Sequence, residues 1–422
     1  MYRLISIVAL FLFCGAVRTD DRKIIEWIKV HSYPINSLDA NSSDEDLTFL
    51  SAIQEGKTVI SIGEVTHGIS EFASLKFRVF KYLAVHHDFK IFAIEQDYLT
   101  VEPLNQYLLT GNGEPEKMLR HFIRSYANEE TLQMVKWMRR FNSTIDNDRE
   151  KLKIYGFDMQ RTGPILQRIR DLVAGDQSLV QLIDSIKLMQ VKDFTSPTLR
   201  RDQFIKLRDA ILSLHDLALP AHSTLNFFVT MLDFSQEVAS TRQHHRDLYM
   251  AQMMEMIMDA EGESKTLISA HNNHVSKCCN EVYDDTTLLM GKYLHSKLAN
   301  RLFTIGIDFN KGSFWAVKVF SRDSIATQKF TLPDAPPHSL PYVFSQTGTD
   351  IFFLNLEPTT RDSLANNWFS GRKIMRTIGA SFDERITNEQ STDPITVKEW
   401  YDGLLFFNEV HECQLLAPVG TY

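Results

Sequence analysis

Short, unbroken apolar runs alternate along the chain with longer stretches in which apolar residues recur at helical spacing. Within the short runs, apolar and polar residues do not alternate, which is typical of strands covered on both faces of a parallel sheet. Between the first two runs, positions 70–86 carry the apolar pattern of an amphipathic helix. The chain is therefore predicted to form an α/β fold, with a mostly parallel central sheet flanked by helices. The predicted strands are 58–63, 90–95, 152–157, 266–270, 302–307, 315–320, 350–356 and 403–410.

One long segment, from about residue 163 to 262, has a helical pattern almost throughout and few strand signals. About 100 residues between two strands is far longer than an ordinary connecting loop. We interpret this segment as a helical insertion, or subdomain, that covers a cleft within one domain.

The first residues, MYRLISIVALFLFCGAV, combine an early arginine, a short apolar run and small residues, as a secretory signal peptide does. We expect removal of residues 1–16, a mature chain of residues 17–422, and a secreted protein. No later segment approaches the roughly 20 apolar residues of a membrane span, so no membrane contact is expected after cleavage, although an uncleaved anchor stays open. Sequons at Asn41 and Asn142 agree with a secreted glycoprotein.

Three cysteines remain after the expected cleavage: Cys278, Cys279 and Cys413. This odd number permits at most one internal disulfide, and adjacent cysteines seldom pair with each other. A bridge from Cys413 to one of the two neighbours is one prediction. Three buried thiols are an equally open alternative.

The charge pattern argues against a nucleic-acid partner. The formal charge is −8, and the lysines and arginines are dispersed among acidic residues. A nucleic-acid interface needs a concentrated basic surface, which this distribution does not supply.

Polar side chains follow four of the predicted strands at the point where each strand ends. In open α/β sheets, ligands bind at the carboxyl ends of the strands, so these residues are the candidates for a shared site. Any one of them alone is equally well explained as a helix cap or a satisfied core residue. The set consists of Glu64 and His67, then Glu95, then Asp158, and finally His271, Asn272 and His274.

The candidate chemistry is general base catalysis with water as the nucleophile. A histidine that is oriented by a carboxylate is a suitable base near neutral pH, and His67 beside Glu64 or Glu95 has this composition. His271 and His274 are then candidates for polarising a carbonyl or holding developing negative charge. No G-x-S-x-G motif occurs, which disfavours a covalent serine mechanism.

A metal site is the alternative reading of the same residues. Glu64, His67, His271 and His274 are nitrogen and oxygen ligands of the kind that zinc binds. No H-E-x-x-H or comparable metallohydrolase motif is present, and the spacing alone does not choose between a metal site and a metal-free site.

Several motifs, taken in order, resemble the erythromycin esterase family. They extend from about residue 24 to 410, nearly the whole mature chain, and their ordered occurrence is specific where any single motif is weak. The motifs are GEVTHGISEF, FAIEQD, NQYLLTG, KWMRRFN, YGFDMQ, RDLYMAQMM, AHNNHV, MGKYL and RTIGASF.

The resemblance implies a metal-independent, cofactor-free hydrolase in which His67 activates water against a small-molecule ester. By the same resemblance, Glu64 and Glu95 are the carboxylates that accompany His67. His271 and His274, after the predicted strand 266–270, are imidazoles supplied by another strand. The family's arginine nine positions after the motif histidine is replaced here by Lys76, and Arg78 is a possible substitute. A lysine keeps the charge but loses the planar, two-pronged donor.

Substrate contacts are predicted for Lys76, Arg78, Asp158 and Asn272, and the substrate is predicted to be an ester or lactone of unknown identity. Arg246 and Asp247, in the RDLYMAQMM motif, are expected to pair with each other facing the cleft or the sheet. Two other functions stay open: a degraded esterase-like protein that binds a small hydrophobic ligand, and a metal-dependent hydrolase.

Overall fold

A computed structural model describes residues 19–192, 197–213, 219–240, 245–262, 264–278, 288–318 and 327–417. The predicted signal peptide, residues 1–16, lies outside these ranges, as does Cys279, so cleavage and export stay predictions. Within the described ranges, no helix is both long enough and apolar enough to cross a membrane.

Among the described residues, ten strands form the central sheet, and two further strands form a separate sheet. In the ten-stranded sheet, eight strands follow the order β1-β8-β12-β6-β2-β5-β3-β4, and β7 and β10 pair with β6. The strands from β12 to β4 in this order are parallel to one another, whereas β8 pairs antiparallel with β1 and β12, and β7 pairs antiparallel with β6. The predicted α/β fold with a mostly parallel sheet is confirmed. The strands are β1 Ser32–Pro34, β2 Val59–Ile62, β3 Phe89–Asp97, β4 Lys153–Asp158, β5 Lys265–Ser269, β6 Leu302–Lys318, β7 Thr327–Leu332, β8 Ile351–Asn355, β9 Lys373–Arg376, β10 Ser381–Phe382, β11 Thr392–Ile395 and β12 Gly403–Val410.

Two predicted strands, 302–307 and the described part of 315–320, belong to one long strand, β6. Its first half lies between β2 and β12, and its second half pairs with β7. Gly312 sits where the two halves join, at φ 136°, and a Cβ there would lie 2.0 Å from the carbonyl oxygen of Val410. The polar residues around Gly312 suggest a loop in the sequence. In the structure they belong to β6, and the glycine lets β6 lie close to β12.

Helices cover both faces of the sheet, and each face has its own cluster of buried apolar side chains. In the described part of the segment between β4 and β5, which is interpreted above as an insertion, there are five helices, α7 to α11. The helices are α1 Thr19–His31, α2 Leu50–Ile53, α3 Ser70–His87, α4 Tyr98–Thr110, α5 Pro115–Leu119, α6 Glu129–Asn142, α7 Thr162–Leu172, α8 Gln177–Lys192, α9 Pro197–Leu212, α10 Leu219–Ser240, α11 Arg246–Ala260, α12 Asn272–Val275, α13 Met290–Leu298, α14 Leu340–Ser345, α15 Ser363–Ser370 and α16 Val397–Trp400.

The parallel register aligns the carboxyl ends of four strands at one edge of the sheet. Ile62, the last residue of β2, pairs with Ser269, the last residue of β5. Ser269 also pairs with Ile94 of β3, and Asp97 at the end of β3 pairs with Asp158 at the end of β4. The polar residues at the ends of these strands therefore lie next to one another at this edge of the sheet.

The structure corrects two predictions made from local motifs. Asn142 is buried at 1% exposure, and its amide nitrogen donates to the carbonyl oxygens of Leu108 and Leu152, so this sequon has no accessible acceptor. Asn41, in the other sequon, is exposed. The predicted disulfide is absent as well: Cys413 is a free, buried thiol whose Sγ lies 3.6 Å from the carbonyl oxygen of Ser125.

Candidate active site

The segment that follows β2 places Glu64 and His67 at the carboxyl edge of the sheet. Gly63 permits this turn because a Cβ at that position would lie 2.1 Å from Oδ1 of Asn272. The carbonyl oxygen of Glu64 then accepts a hydrogen bond of 2.8 Å from the backbone N–H of Asn272. The ends of β2 and β5 are thus joined directly beside the two predicted catalytic residues.

Glu64 is a buried carboxylate with three hydrogen-bond donors. His67 Nδ1 lies 2.6 Å from Oε1, the Lys76 ammonium lies 2.7 Å from Oε2, and the Tyr126 hydroxyl donates to Oε1. Burial by itself raises the pKa of Glu64, but the charge of Lys76 and the bond to His67 outweigh it and lower the pKa to about 2. Glu64 is therefore ionised at neutral pH.

An ionised Glu64 determines which nitrogen of His67 is available for chemistry. The carboxylate can only accept, so Nδ1 is the donor of this bond, and in the neutral tautomer with this geometry the lone pair is on Nε2. No described residue forms a hydrogen bond with Nε2, and the side chain is 6% exposed. The imidazole is thus oriented at one nitrogen and open at the other, which is the arrangement of a general base.

His271 lies between the other two histidines of the site, with ring centroids 6.3 Å from His67 and 6.2 Å from His274. Its Nε2 donates to the carbonyl oxygen of Val65 at 2.8 Å, and its Nδ1 accepts from the backbone N–H of Asn273. Burial lowers its pKa to about 4, so the ring is neutral. Both nitrogens are engaged, so the predicted polarisation of a carbonyl by His271 is not open to it. Its imidazole holds the segment after β2 against β5.

A second group of charged side chains surrounds Glu95. The Arg246 guanidinium lies 2.8 Å from Glu95 Oε1 and 2.7 Å from Asp158 Oδ2. His274 Nδ1 bonds Asp247 at 2.8 Å, and its Nε2 lies 3.3 Å from the same Oε1 of Glu95. This group, which we call the Arg246 cluster, consists of Glu95, Asp158, Arg246, Asp247 and His274.

Opposite charges balance one another inside the Arg246 cluster. Burial by itself lowers the pKa of His274, but the carboxylates of Asp247 and Glu95 outweigh it and raise the pKa to about 10. Burial opposes ionisation of Glu95 as well, yet His274 and Arg246 hold the pKa of Glu95 well below its usual range. These carboxylates hold Arg246 and His274 in their protonated forms, and Glu95 is ionised, although Arg246 Nη1 lies only 3.1 Å from His274 Nε2.

The raised pKa of His274 predicts that the protein loses stability at alkaline pH. In the unfolded chain this imidazole releases its proton near its ordinary pKa, whereas the folded protein holds it to about pH 10. The contribution is complete below the unfolded pKa and declines as the pH rises. We expect the free energy of unfolding to fall by about 2–3 kcal/mol between pH 6.5 and pH 9. Urea titrations across this range measure it, and an unchanged slope in His274→Gln would contradict the assignment.

The predicted substrate contacts are placed in three different ways. Asp158 belongs to the Arg246 cluster. Asn272 instead bonds both backbone groups of Ile307 and so joins β5 to β6. Lys76 is buried and donates to Glu64 and to the hydroxyl of Ser269, which makes it the cation paired with Glu64. Each of these side chains already has protein partners.

Arg78 is a correction to the predicted site. Its side chain is fully buried, and its guanidinium bonds the carboxylate of Asp46 and the carbonyl oxygens of Ser37 and Ser43. These partners lie in the loop before β2, away from Glu64. Arg78 therefore holds that loop against α3 and does not replace the family arginine in the site.

Sequence reasoning missed Tyr126 and assigned wrong partners to Arg246 and Asp247. Tyr126 lies in a one-turn 3₁₀ helix, Arg124–Tyr126, which no strand or helix pattern marks. Arg246 and Asp247 do not bond each other, because Arg246 binds Glu95 and Asp158 while Asp247 binds His274. One sequence signal could have placed Arg246 and Asp247 at the site: both lie at the start of α11, the helix that leads back to the sheet at β5.

The alternative metal set is not assembled in the structure. Among the described residues, no three His, Cys, Asp or Glu side chains are grouped as ligands of one ion. Glu64 bonds His67 directly, and His271 directs its Nε2 at the backbone.

Comparisons with known proteins give the family. The family model named Erythromycin esterase matches residues 84–410. The chain is 20% identical to YbfO of Bacillus subtilis (strain 168), a hydrolase by name only, with 96% of each chain covered. It is 21% identical to the Escherichia coli protein Erythromycin esterase type II, covering 81% of this chain and 91% of the relative.

A solved structure shows the same fold. The mutant erythromycin esterase EreC in its open conformation superposes with a TM-score of 0.69 at 15% identity, covering 92% of this chain and 99% of that one. Because the family model matches most of the chain and these proteins align over nearly its whole length, the chain belongs to the erythromycin esterase family.

Proposed function

We propose that this protein hydrolyses an ester or a lactone with a water molecule that His67 activates. The observation that carries the proposal is the pairing of His67 Nδ1 with an ionised, buried Glu64, which orients the ring and directs Nε2 away from the carboxylate. Membership of the erythromycin esterase family supports ester hydrolysis as the reaction class. The relative named Erythromycin esterase type II makes a macrolide lactone one substrate class to test.

The reaction begins with proton transfer from water to Nε2 of His67. The water oxygen attacks the carbonyl carbon, and the electron pair of the C=O bond moves to the carbonyl oxygen. Collapse of the tetrahedral intermediate breaks the bond to the alkoxide, which takes the proton back from Nε2. Glu64 stabilises the imidazolium that exists between these two transfers, and the products are a carboxylic acid and an alcohol.

Cationic groups at the same edge of the sheet stabilise the negative charge of the tetrahedral intermediate. His274 and Arg246 are both positively charged at neutral pH, since the three carboxylates of the Arg246 cluster stabilise their protonated forms. A fixed positive charge near the carbonyl oxygen lowers the barrier without reorganisation during the reaction. We assign this electrostatic role to the cluster as a unit.

Direct attack by water predicts that no acyl-enzyme accumulates. With p-nitrophenyl esters under rapid mixing, we expect release of nitrophenol without a burst, and an unchanged protein mass after acid quench. A covalent mechanism gives a burst equal to the enzyme concentration whenever deacylation is slow. A burst together with an acylated protein mass would refute the water mechanism. Macrolides, tested by mass spectrometry of the products, separate lactone opening from general esterase activity.

A further inference from the structure

We infer that Tyr126 is a positioning residue, which holds Glu64 in place and limits how strongly this carboxylate stabilises the protonated form of His67. The inference rests on the proposed function and extends it to a side chain outside the sheet edge. Its basis is contact geometry: the Tyr126 hydroxyl donates to Glu64 Oε1 and lies 2.9 Å from His67 Nδ1. One phenol thus touches both members of the proposed catalytic pair.

The backbone around Tyr126 is fixed by contacts that do not involve Glu64. The N–H of Ile123, which precedes the 3₁₀ turn, donates to the side chain of Gln96 at 3.0 Å. After the turn, the side chain of Asn128 caps α6 and also binds the carbonyl oxygen of Ser125. Leu416, near the end of the described chain, donates to the carbonyl oxygen of Ala127. The hydroxyl is therefore presented by a preformed turn.

Tyr126 is a permanent donor in this position. Its ring is buried and lies against His67, with the two ring centroids 4.8 Å apart. Burial and the charges of Glu64 and Glu95 raise its pKa well above the ordinary value, so the phenol keeps its proton at every working pH. Glu64 Oε1 consequently accepts two hydrogens, one from Tyr126 and one from His67.

Two donors on one oxygen share its negative charge. A hydrogen bond from Tyr126 stabilises ionised Glu64 and reduces the charge that Oε1 offers to a protonated His67. Removing the hydroxyl leaves more charge on Oε1, so His67 retains its proton to higher pH. The other charged or titratable groups near the pair are Lys76 on α3, Glu95 in β3, His271 after β5, and Arg246 and His274 in the cluster. All of these side chains are retained in the experiment.

The test is the pH dependence of kcat/KM for a p-nitrophenyl ester. In Tyr126→Phe, we expect the acidic limb of the profile to move up by about 0.5–1 pH unit, which means kcat/KM at pH 6 about 3–10-fold lower, with a much smaller loss on the alkaline plateau. Incorporation of 3-fluorotyrosine at position 126 makes the hydroxyl a stronger donor, so the limb should move down. These opposite shifts are the signature of the inference.

Tyr155→Phe is the matched control. Tyr155 is also a shielded tyrosine with a raised pKa, but its hydroxyl donates to Glu261 rather than to Glu64. Its profile should coincide with that of the wild type. Thermal unfolding establishes that each variant is folded; if Tyr126→Phe does not fold, the fluorotyrosine protein carries the test.

The outcomes separate this inference from the proposed function. If the plateau falls while the acidic limb stays in place in both Tyr126 proteins, the tyrosine has only a structural role and the inference is refuted. If His67→Ala keeps the wild-type rate, the proposed function fails first. An inactive His67→Ala together with unmoved limbs would refute the assignment of Tyr126 alone.

Discussion

Replacement of His67 by alanine is expected to lower kcat/KM for ester substrates by about 10²–10⁴-fold, the contribution of a positioned general base. The effect should be large because neither of the neighbouring histidines is able to take over. His271 has both ring nitrogens bonded to the backbone, and His274 is an imidazolium at neutral pH. A His67→Ala enzyme with no substitute base would retain only the catalysis that substrate binding and electrostatics provide.

Steady-state turnover of p-nitrophenyl esters measures this loss, and two additions make the result specific. His121→Ala is the control variant, because His121 is an exposed histidine that belongs neither to the Glu64–His67 pair nor to the Arg246 cluster. Imidazole added to His67→Ala should restore part of the rate, since a small base can enter the space left by the side chain. Equal rates in wild type and His67→Ala would remove the base assignment.

The pairing of Glu64 with His67 was accessible from the sequence because it depends on short-range geometry. An apolar run that ends at a glycine and is followed by polar residues identifies a strand end, and parallel strands end at a common edge. The polar residues at the ends of β2, β3, β4 and β5 do meet there. They form two groups, the Glu64–His67 pair and the Arg246 cluster, and His271 lies between them. The sequence indicated the edge without indicating which side chains bond each other.

Helix geometry explains why Lys76 and Arg78 have different partners. Residues two apart on a helix project in nearly opposite directions, so only one of them can face the sheet edge. Lys76 faces Glu64, and Arg78 faces the loop that contains Asp46. Both are buried cations, and the sequence alone offers no reason to prefer either direction for either residue.

Tyr126 and the partners of Arg246 could not be predicted from the sequence, for a different reason. Tyr126 is 62 positions from Glu64, and Arg246 is 151 positions from Glu95. Each comes from a segment whose path back to the sheet edge depends on the packing of several helices. Local patterns predict elements and strand ends, but such long-range contacts follow only from the assembled fold.

The second large effect is expected from Arg246→Met, which should lower the free energy of unfolding by about 3–5 kcal/mol. The Arg246 side chain is 12% exposed, and its guanidinium is shared by Glu95 and Asp158. Without it, two buried carboxylates face each other with His274 as the remaining cation of the cluster. The cost comes from leaving charges buried without a partner rather than from the lost bonds themselves.

Urea denaturation at pH 7 measures the effect of Arg246→Met, and two variants define its origin. Arg246→Lys keeps a charge but loses the forked donor, so its loss should be intermediate. Arg170→Met removes a guanidinium that pairs with Asp184 at the protein surface, so it should change stability far less. If Arg246→Met and Arg170→Met were equally stable, the cluster would not hold its carboxylates ionised.

The pH dependence of Arg246→Met tests the same electrostatic argument independently. Arg246 helps to keep the pKa of Glu95 low, so loss of the guanidinium raises it, and Glu95 can then avoid the cost of a buried charge by binding a proton. The destabilisation relative to wild type should therefore shrink as the pH falls from 7 toward 5. A destabilisation that stays constant over this range would mean that Arg246 acts through packing alone, since lost apolar contacts do not respond to protonation.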